Sequence, residues 1–377
     1  MMNILIVYPY WTYPEVAIEF LVKMARRGHK ITAIYAGDKK ESIKAHNLNK
    51  NNITIYEVQH LDLSLGGKIT KKYPYFLNFK RILSSIECDV IVIQLPLFLT
   101  TIQALKIAEK LRKPTVVEVH GVYAHRNLAL DLAQKTYLYT IGQWEFKKAT
   151  LVRCLTKEDA QEIMHYGAPY YKIRIVPNPV DTELFKPSLN RNDEVLIWTG
   201  RMVVEKGLTY LIKALDIVVH EYKHKEIQLL IVGDGPQRYL IMKLIKRYNL
   251  KSNVSLLGVL PRKRVAEYLS KASIFVFPSI KEGMPFSLLE ALSSGLPVIG
   301  TNVSGVRNLI VHGYNGLLVP PKDPKAIAEA ISYLLDNRSL RLKMSKSARE
   351  FIIANFSYQK ILPKLEQLYN EAIEVYH

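Results

Sequence analysis

The chain is short of the residues that would tie it to several large classes of protein. Its 377 residues include only two cysteines, Cys88 and Cys154. They form no Cys-x-x-Cys motif, and each lies in or beside an apolar, strand-like run. This argues against a disulfide framework or a zinc ribbon and suits reduced structural thiols in a cytosolic protein. No Asp-x-Asp pair occurs, and no His/Cys cluster has ligand spacing. No metal is called for and no cofactor is expected. A P-loop and a nucleophile elbow are missing as well.

Long apolar runs are also missing. Residues 90–105 come closest, but Gln94, Pro96, Thr100, Thr101 and Gln103 interrupt them. Residues 3–8 are apolar but short, with no basic segment before them and with Pro9, Trp11 and Pro14 after them. That does not fit a secretory leader. The expectation is a cytoplasmic protein, soluble or peripheral on the inner membrane face. Acidic residues are scarce: 34 Asp+Glu against 52 Lys+Arg give a net charge of +18. Such a balance favours an anionic partner, whether nucleic acid, anionic membrane or phosphorylated substrate. The excess is evenly spread. Residues 1–190 hold 26 basic and 17 acidic groups (+9), and the rest hold the same 26 and 17 (+9). This weakens the case for a dedicated nucleic-acid module, and no nucleic-acid partner is expected.

What the chain does have is alternation. Short β-branched runs fall at 3–8, 30–35, 53–58, 89–94, 115–120 and 151–155, then at 194–199, 227–233, 254–258, 274–278, 297–300 and 316–319. Helical patterns lie between them, at 15–27, 206–220, 238–248 and 324–336. The fold class expected is α/β, with doubly wound parallel sheets. Twelve strands suit two six-stranded, Rossmann-like domains. The proline-rich, polar stretch 176–193 is the linker candidate. It divides a first domain, 1–187, from a second, 188–357, and an amphipathic helix at 358–377 completes the first. Along that tail Ile361, Leu365, Leu368 and Ile373 share a face. Ligands of open α/β sheets bind at the carboxyl ends of the strands. Two such domains facing each other would leave a central cleft.

One stretch carries most of the chemistry: Glu282-Gly-Met-Pro-Phe-Ser-Leu-Leu-Glu290, ending at Gly295 and Pro297. It places one carboxylate on a loop and the other in the helix that follows. A helix N-terminus favours phosphate, and carboxylates accept hydrogen bonds from hydroxyls. A ligand with phosphates in its middle and hydroxyl-rich rings at both ends fits, and a nucleotide-sugar is such a ligand. Gly200-Arg201 and Lys206-Gly207 follow the first strand of the second half. Arg201 and Lys206 read either as solvated cations or, beside the glutamates, as a pair offsetting a diphosphate. Gly233-Asp-Gly235 lacks the third glycine of a dinucleotide loop and reads as a tight turn. His120 ends a strand of the first half. It is either a structural histidine or a contact to a sugar hydroxyl, with a role as base or acid. Other histidines, such as His29, His165 and His220, sit at helix ends, where capping suffices. Residues 67–81 hold five cations, four aromatics and no acid. They suit an anionic membrane interface or a lipid-linked acceptor as well as a helix start whose aromatics point into the core. An amphipathic helix is expected over 75–86.

These motifs together resemble the group 1, or family 4, retaining glycosyltransferases of GT-B fold. The residues that carry the resemblance are Gly200-Arg201, Lys206-Gly207, 232–236, 254–258, 277–279, Glu282-Gly283, Glu290-Ala291, 295–298 and 313–316. It covers most of 170–360, and the first half more loosely through Arg26-Arg27-Gly28-His29. The resemblance implies metal-independent transfer of a sugar from a nucleoside-diphosphate donor, with retention at the anomeric carbon. It implies that Arg201 and Lys206 bind the diphosphate, that Glu282 lies at the donor sugar and that Glu290 holds the ribose hydroxyls. Backbone N–H groups from Gly283 through Met284 and Phe286 to Ser287 would meet sugar and phosphates, and His120 would face the donor sugar. Three positions depart from the pattern. Pro14 stands in a loop that is often Gly-Gly, Asn308 stands where many members have glutamate, and Pro285 removes one possible amide donor from the sugar loop.

The reading is therefore a transferase with UDP favoured over GDP and a glycan or lipid-linked acceptor, with peripheral membrane contact through 68–81. A nucleotide-sugar epimerase or hydrolase on the same fold, or a non-catalytic nucleotide-binding module, stays open.

Overall fold

A computed structural model describes residues 1–10, 14–36, 43–47, 52–62, 74–96, 98–121, 128–188 and 191–376. The chain divides into two units, Met1–Val176 with Leu362–His377, and Pro177–Ile361.

The first unit holds strands β1 (Asn3–Tyr8), β2 (Lys30–Ala36), β3 (Ile43–Asn47), β4 (Ile53–Val58), β5 (His60–Asp62), β6 (Pro74–Phe76), β7 (Val90–Gln94), β8 (Thr115–Val119), β9 (Leu151–Cys154) and β10 (Ile173–Ile175). Its main sheet runs β10-β9-β8-β7-β1-β2-β4-β3, parallel throughout except for β3. The second unit holds β11 (Val195–Thr199), β12 (Gln228–Val232), β13 (Val254–Gly258), β14 (Ile274–Phe277), β15 (Val298–Thr301) and β16 (Gly316–Val319). They form an all-parallel sheet in the order β13-β12-β11-β14-β15-β16. Each sheet starts in the middle and winds outward both ways. The direction reverses between β1 and β7 in the first unit and between β11 and β14 in the second. Such a reversal opens a crevice at the carboxyl edge, where ligands of this architecture bind. The central strands are apolar without interruption, as in Ile4–Val7 and residues 90–93, because both faces are covered.

All twelve expected strands are present, but the first sheet has eight strands rather than six. β3 (IKAHN) is too polar, and β10 (IRI) too short, to show in the pattern. Residues 75–76 belong to a β5–β6 ribbon, so the helix expected over 75–86 begins only at Phe79, after Asn78 turns the chain with φ 53°. The helix expected from 206 likewise starts at Leu208, after a 3-10 turn over Val204–Lys206.

Segment 177–187, expected to close the first domain, groups with the second unit. Phe185 is fully buried, and the Val180 N–H donates to the Phe356 carbonyl (2.9 Å). In the last helix, Tyr358–Tyr376, the residues from Leu362 on belong to the first unit. Leu365, Leu368, Tyr369 and Ala372 form its buried face. Glu366 on that helix accepts from Arg27 (2.5 and 2.7 Å) and lies 2.8 Å from His29 Nε2. His29 thus ties down the tail rather than capping a helix. The Arg27 bond outweighs burial and holds Glu366 below the usual carboxylate range. Both thiols are buried, and burial pushes Cys88 up to about 11, as suits inert structural cysteines.

Candidate active site

In the second unit, two loops leave adjacent strands at the switch point. One follows β11 and carries Gly200 to Gly207; the other follows β14 and carries Pro278 to Pro285. Glycines let them close on each other and on their surroundings. Gly207 has φ +63°, and a Cβ there would meet the Pro278 carbonyl oxygen at 1.9 Å. A Cβ on Gly305 would meet the Gly283 oxygen at 1.3 Å, and the Gly305 N–H donates to the Glu282 carbonyl (3.2 Å). The 233–237 turn supports the first loop from behind: the Met202 N–H donates to the Asp234 carbonyl (2.8 Å), and the Gln237 N–H to the Met202 carbonyl (2.9 Å).

This geometry brings Lys206 onto Glu282. Nζ donates to Oε1 at 2.6 Å and stands 5.4 Å from the centre of the Phe277 ring. The sequence paired Lys206 with Arg201; the fold gives it a carboxylate partner and leaves Arg201 exposed on the same loop. Glu290 lies in the helix Phe286–Ser293, as expected, and is buried. Arg262 Nε and Nη2 both reach its Oε1, at 3.0 and 2.9 Å. The Arg262 guanidinium also lies over the Phe185 ring, 4.9 Å from its centre. Arg262 escaped the sequence reading because Pro261-Arg262-Lys263 looks like any basic helix start. Its place just after β13, at the same sheet edge, is the signal that pointed to it.

The loop between the glutamates is held rigidly. Met284 is buried, and its Sδ lies 3.3 Å from the Asn178 N–H. Pro285 begins the helix, and its carbonyl accepts from Leu288 and Leu289. The amides of Phe286 and Ser287 are then the first of the helix, without an intrahelical acceptor. Gly295, with φ +67°, ends it: the Gly295 N–H donates to Leu292 O (2.9 Å) and the Leu296 N–H to Ala291 O (3.0 Å).

In the first unit, His120 follows β8 and is about a quarter exposed. Its Nε2 lies 2.7 Å from Gln94 Oε1, at the end of β7. Behind it is a group of polar residues that the sequence reading did not single out. Gln94, Glu118 and Arg153 are direct neighbours across β7, β8 and β9. Glu118 Oε2 accepts from Gln94 Nε2 and Arg153 Nη1, both at 2.7 Å, and Oε1 accepts from Tyr369 Oη (3.1 Å). Burial alone would raise the Glu118 pKa. The Arg153 charge, the nearby His120 ring (Nε2 3.7 Å from Oε2) and the bond from Gln94 overcome that and bring it down to about 2. Burial, and then the Glu118 charge, hold the Tyr369 hydroxyl protonated well beyond the usual phenol range. The period of two in a strand puts Glu118 and His120 on one side, a clue present in the sequence. Arg153 and Tyr369 become visible only with the strand order and the docked tail. Among the described residues no three His, Cys, Asp or Glu side chains gather as a metal ligand set.

Comparison with known proteins places the chain in a family. Residues 180–351 match the family described as glycosyl transferases group 1, and residues 15–184 match glycosyltransferase family 4. An Escherichia coli protein named UDP-Gal:alpha-D-GlcNAc-diphosphoundecaprenol alpha-1,3-galactosyltransferase is 31% identical over 69% of this chain and 70% of its own length. The N-acetyl-alpha-D-glucosaminyl L-malate synthase of Bacillus anthracis is 25% identical over 95% of this chain and 93% of its own. Among solved structures, the sucrose-phosphate synthase of Thermosynechococcus elongatus superposes with a TM-score of 0.79 at 19% identity, covering 99% of this chain and all of that one. HepE of Anabaena, crystallised with UDP and glucose, gives 0.78 at 18% identity over 98% of this chain and all of that one. The chain belongs to the group 1, family 4 glycosyltransferases and has their GT-B fold. It is a glycosyl-transferring enzyme.

Proposed function

We propose that the enzyme moves a sugar from a nucleoside-diphosphate sugar, UDP in preference to GDP, to a hydroxyl of a glycan or lipid-linked acceptor, with retention and without a metal. The observation that carries this reading is the switch point of the second unit, where Lys206–Glu282 and Arg262–Glu290 flank the first amides of one helix. Three cations (Arg201, Lys206, Arg262) and two carboxylates leave that edge net positive, as an anionic donor requires. Glu290 holds the ribose hydroxyls, and Arg262 fixes the carboxylate that does so. Arg201 and Lys206 take the diphosphate, and Glu282 takes the sugar. The amides of Gly283, Met284, Phe286 and Ser287 line the path between. Names of relatives support the donor and acceptor classes: the E. coli relative is named for UDP-Gal and a diphosphoundecaprenol-linked acceptor, and HepE was crystallised with UDP.

The chemistry follows from those roles. The acceptor oxygen bonds to the anomeric carbon from the face that the phosphate leaves. The bond from that carbon to the phosphate oxygen breaks, and the acceptor proton passes to the departing phosphate. Arg201 and Lys206 stabilise the charge that grows there, which is the work a metal does in other transferases. His120 meets a hydroxyl of the donor sugar.

Membrane contact through 68–81 belongs to the same reading. Residues 68–73 lie outside the described residues. Of the remainder, Phe76 and Phe79 are buried against each other (ring centres 4.9 Å apart), so Tyr75, Lys80 and Arg81 carry the contact. Among the described residues no helix is long and apolar enough to cross a membrane. Failure to bind anionic liposomes at low salt removes this part.

Calorimetric titration of UDP, GDP and NAD into the wild type and Glu290→Ala tests the core of the proposal. The expected result is that UDP binds best, NAD does not bind, and the mutation weakens UDP about 100-fold or more, as two lost hydroxyl bonds to a charged group of about 1.5–3 kcal/mol each imply. Binding indifferent to Glu290 overturns the donor site. Transfer that survives a chelator, with product of the donor's anomeric configuration, checks metal independence and retention.

A further inference from the structure

The contacts around His120 fix which of its nitrogens carries hydrogen. An ionised carboxylate can only accept, so the Gln94 atom facing Glu118 must be the amide nitrogen, and it lies 2.7 Å from Oε2. The Gln94 carbonyl oxygen then faces His120 Nε2, also at 2.7 Å. An amide oxygen accepts and cannot donate, so Nε2 must be the N–H. In the neutral ring Nδ1 is left with the lone pair. Turning the Gln94 amide over would set its oxygen against the Glu118 carboxylate. Glu118 itself cannot swing away, because Arg153 and Tyr369 hold its two oxygens and Arg153 Nε is fixed on the Val176 carbonyl (2.9 Å). Three side chains from two further strands and the last helix thus set the orientation of one amide.

We infer that Gln94 is a positioning residue which locks His120 in the Nε2–H tautomer, so that Nδ1 accepts a hydrogen bond from a hydroxyl of the donor sugar. The inference rests on the reading of His120 as a sugar contact. It narrows that reading: His120 receives a proton at Nδ1 or none, and Nε2 is committed to the protein.

The test uses the full chain labelled with 15N-histidine, with long-range 1H–15N spectra taken where the ring is neutral. His120 is assigned by the signals lost in His120→Gln. The wild type should show Nε2 protonated and Nδ1 bare. Gln94→Leu should shift His120 towards a mixture of tautomers and lower kcat roughly 10- to 100-fold, the scale of a misplaced reacting partner, with UDP affinity unchanged. An Nδ1–H tautomer in the wild type overturns the inference, and this holds even if Gln94→Leu fails to fold. A tautomer indifferent to Gln94 also overturns it. So does an unchanged kcat in Gln94→Leu when His120→Ala is impaired. If His120→Ala is unimpaired as well, the sugar-contact reading falls and takes the inference with it.

Discussion

At its switch point the second unit keeps one ion pair, Lys206–Glu282, partly exposed at the sheet edge, whereas the first unit buries one, Glu118–Arg153, to hold a ring. The Lys206 and Glu282 side chains are 19% and 9% exposed, and Arg201 beside them is open to solvent. Glu118 and Arg153 are 3% and 4% exposed, and only His120 emerges. The strand orders are alike, so topology alone does not account for the difference. An accessible pair can exchange partners with an incoming phosphate at little cost, because its charges are already partly hydrated. A buried pair cannot: breaking it leaves a charge without water or partner. The second unit is therefore built to bind charge, and the first to hold a neutral group still.

Three perturbations bear on that contrast. The largest effect is expected at Lys206. Lys206→Ala removes a charge from the diphosphate and strands Glu282, and kcat/KM should fall about 1,000-fold (~4 kcal/mol) with folding little changed. A loss mainly of thermal stability would mean that the pair is structural, and the contrast would fail.

Next is Glu118→Gln, where the order reverses. Urea denaturation at neutral pH should show a loss of about 3 kcal/mol, since Arg153 is left buried without its counter-charge. The sign of the pH effect follows from the depressed pKa. Glu118 titrates at about 2 when folded and near 4.5 otherwise. Its contribution to stability is full above about 4.5 and disappears as pH falls towards about 2. The wild type should lose this increment on acidification and the Gln variant should not. Parallel acid profiles would refute the assignment.

The smallest effect is at Tyr369→Phe, which deletes one bond to the buried carboxylate. A destabilisation of about 1.5 kcal/mol is expected in the same denaturation assay. A larger effect would mean that the tail helix depends on this bond more than on its apolar face.

The proposed donor residues of the second unit were legible as a group because they are close in sequence. Glu282 and Glu290 are fixed by one loop and one helix, and Gly283, Pro285 and Gly295 mark where each begins and ends. Lys206 was singled out, but its ion pair with Glu282 was not legible, since its loop turns at Gly207 onto the strand beside it. Arg262 lies 28 residues before Glu290, and only its place just after the strand 254–258 marks it. In the first half, period-two alternation offered a link between Glu118 and His120, but Gln94, Arg153 and Tyr369 come from three other elements. The helix expected over 75–86 was misplaced because Tyr75 and Phe76 pair with residues 61 and 60, a contact that periodicity cannot show.

The sequence by itself determined the alternation of strands and helices, the family, and the residues of the loop–helix motif from Glu282 to Glu290. Those depend on chain-local rules: strand and helix periods, glycine at positive φ, proline at a helix start. Only the tertiary structure decided which charges are paired, which are buried and which nitrogen of His120 carries hydrogen. Those depend on strand order and on the docking of the last helix, which bring Gln94, Glu118, Arg153 and Tyr369 together and take water away from them.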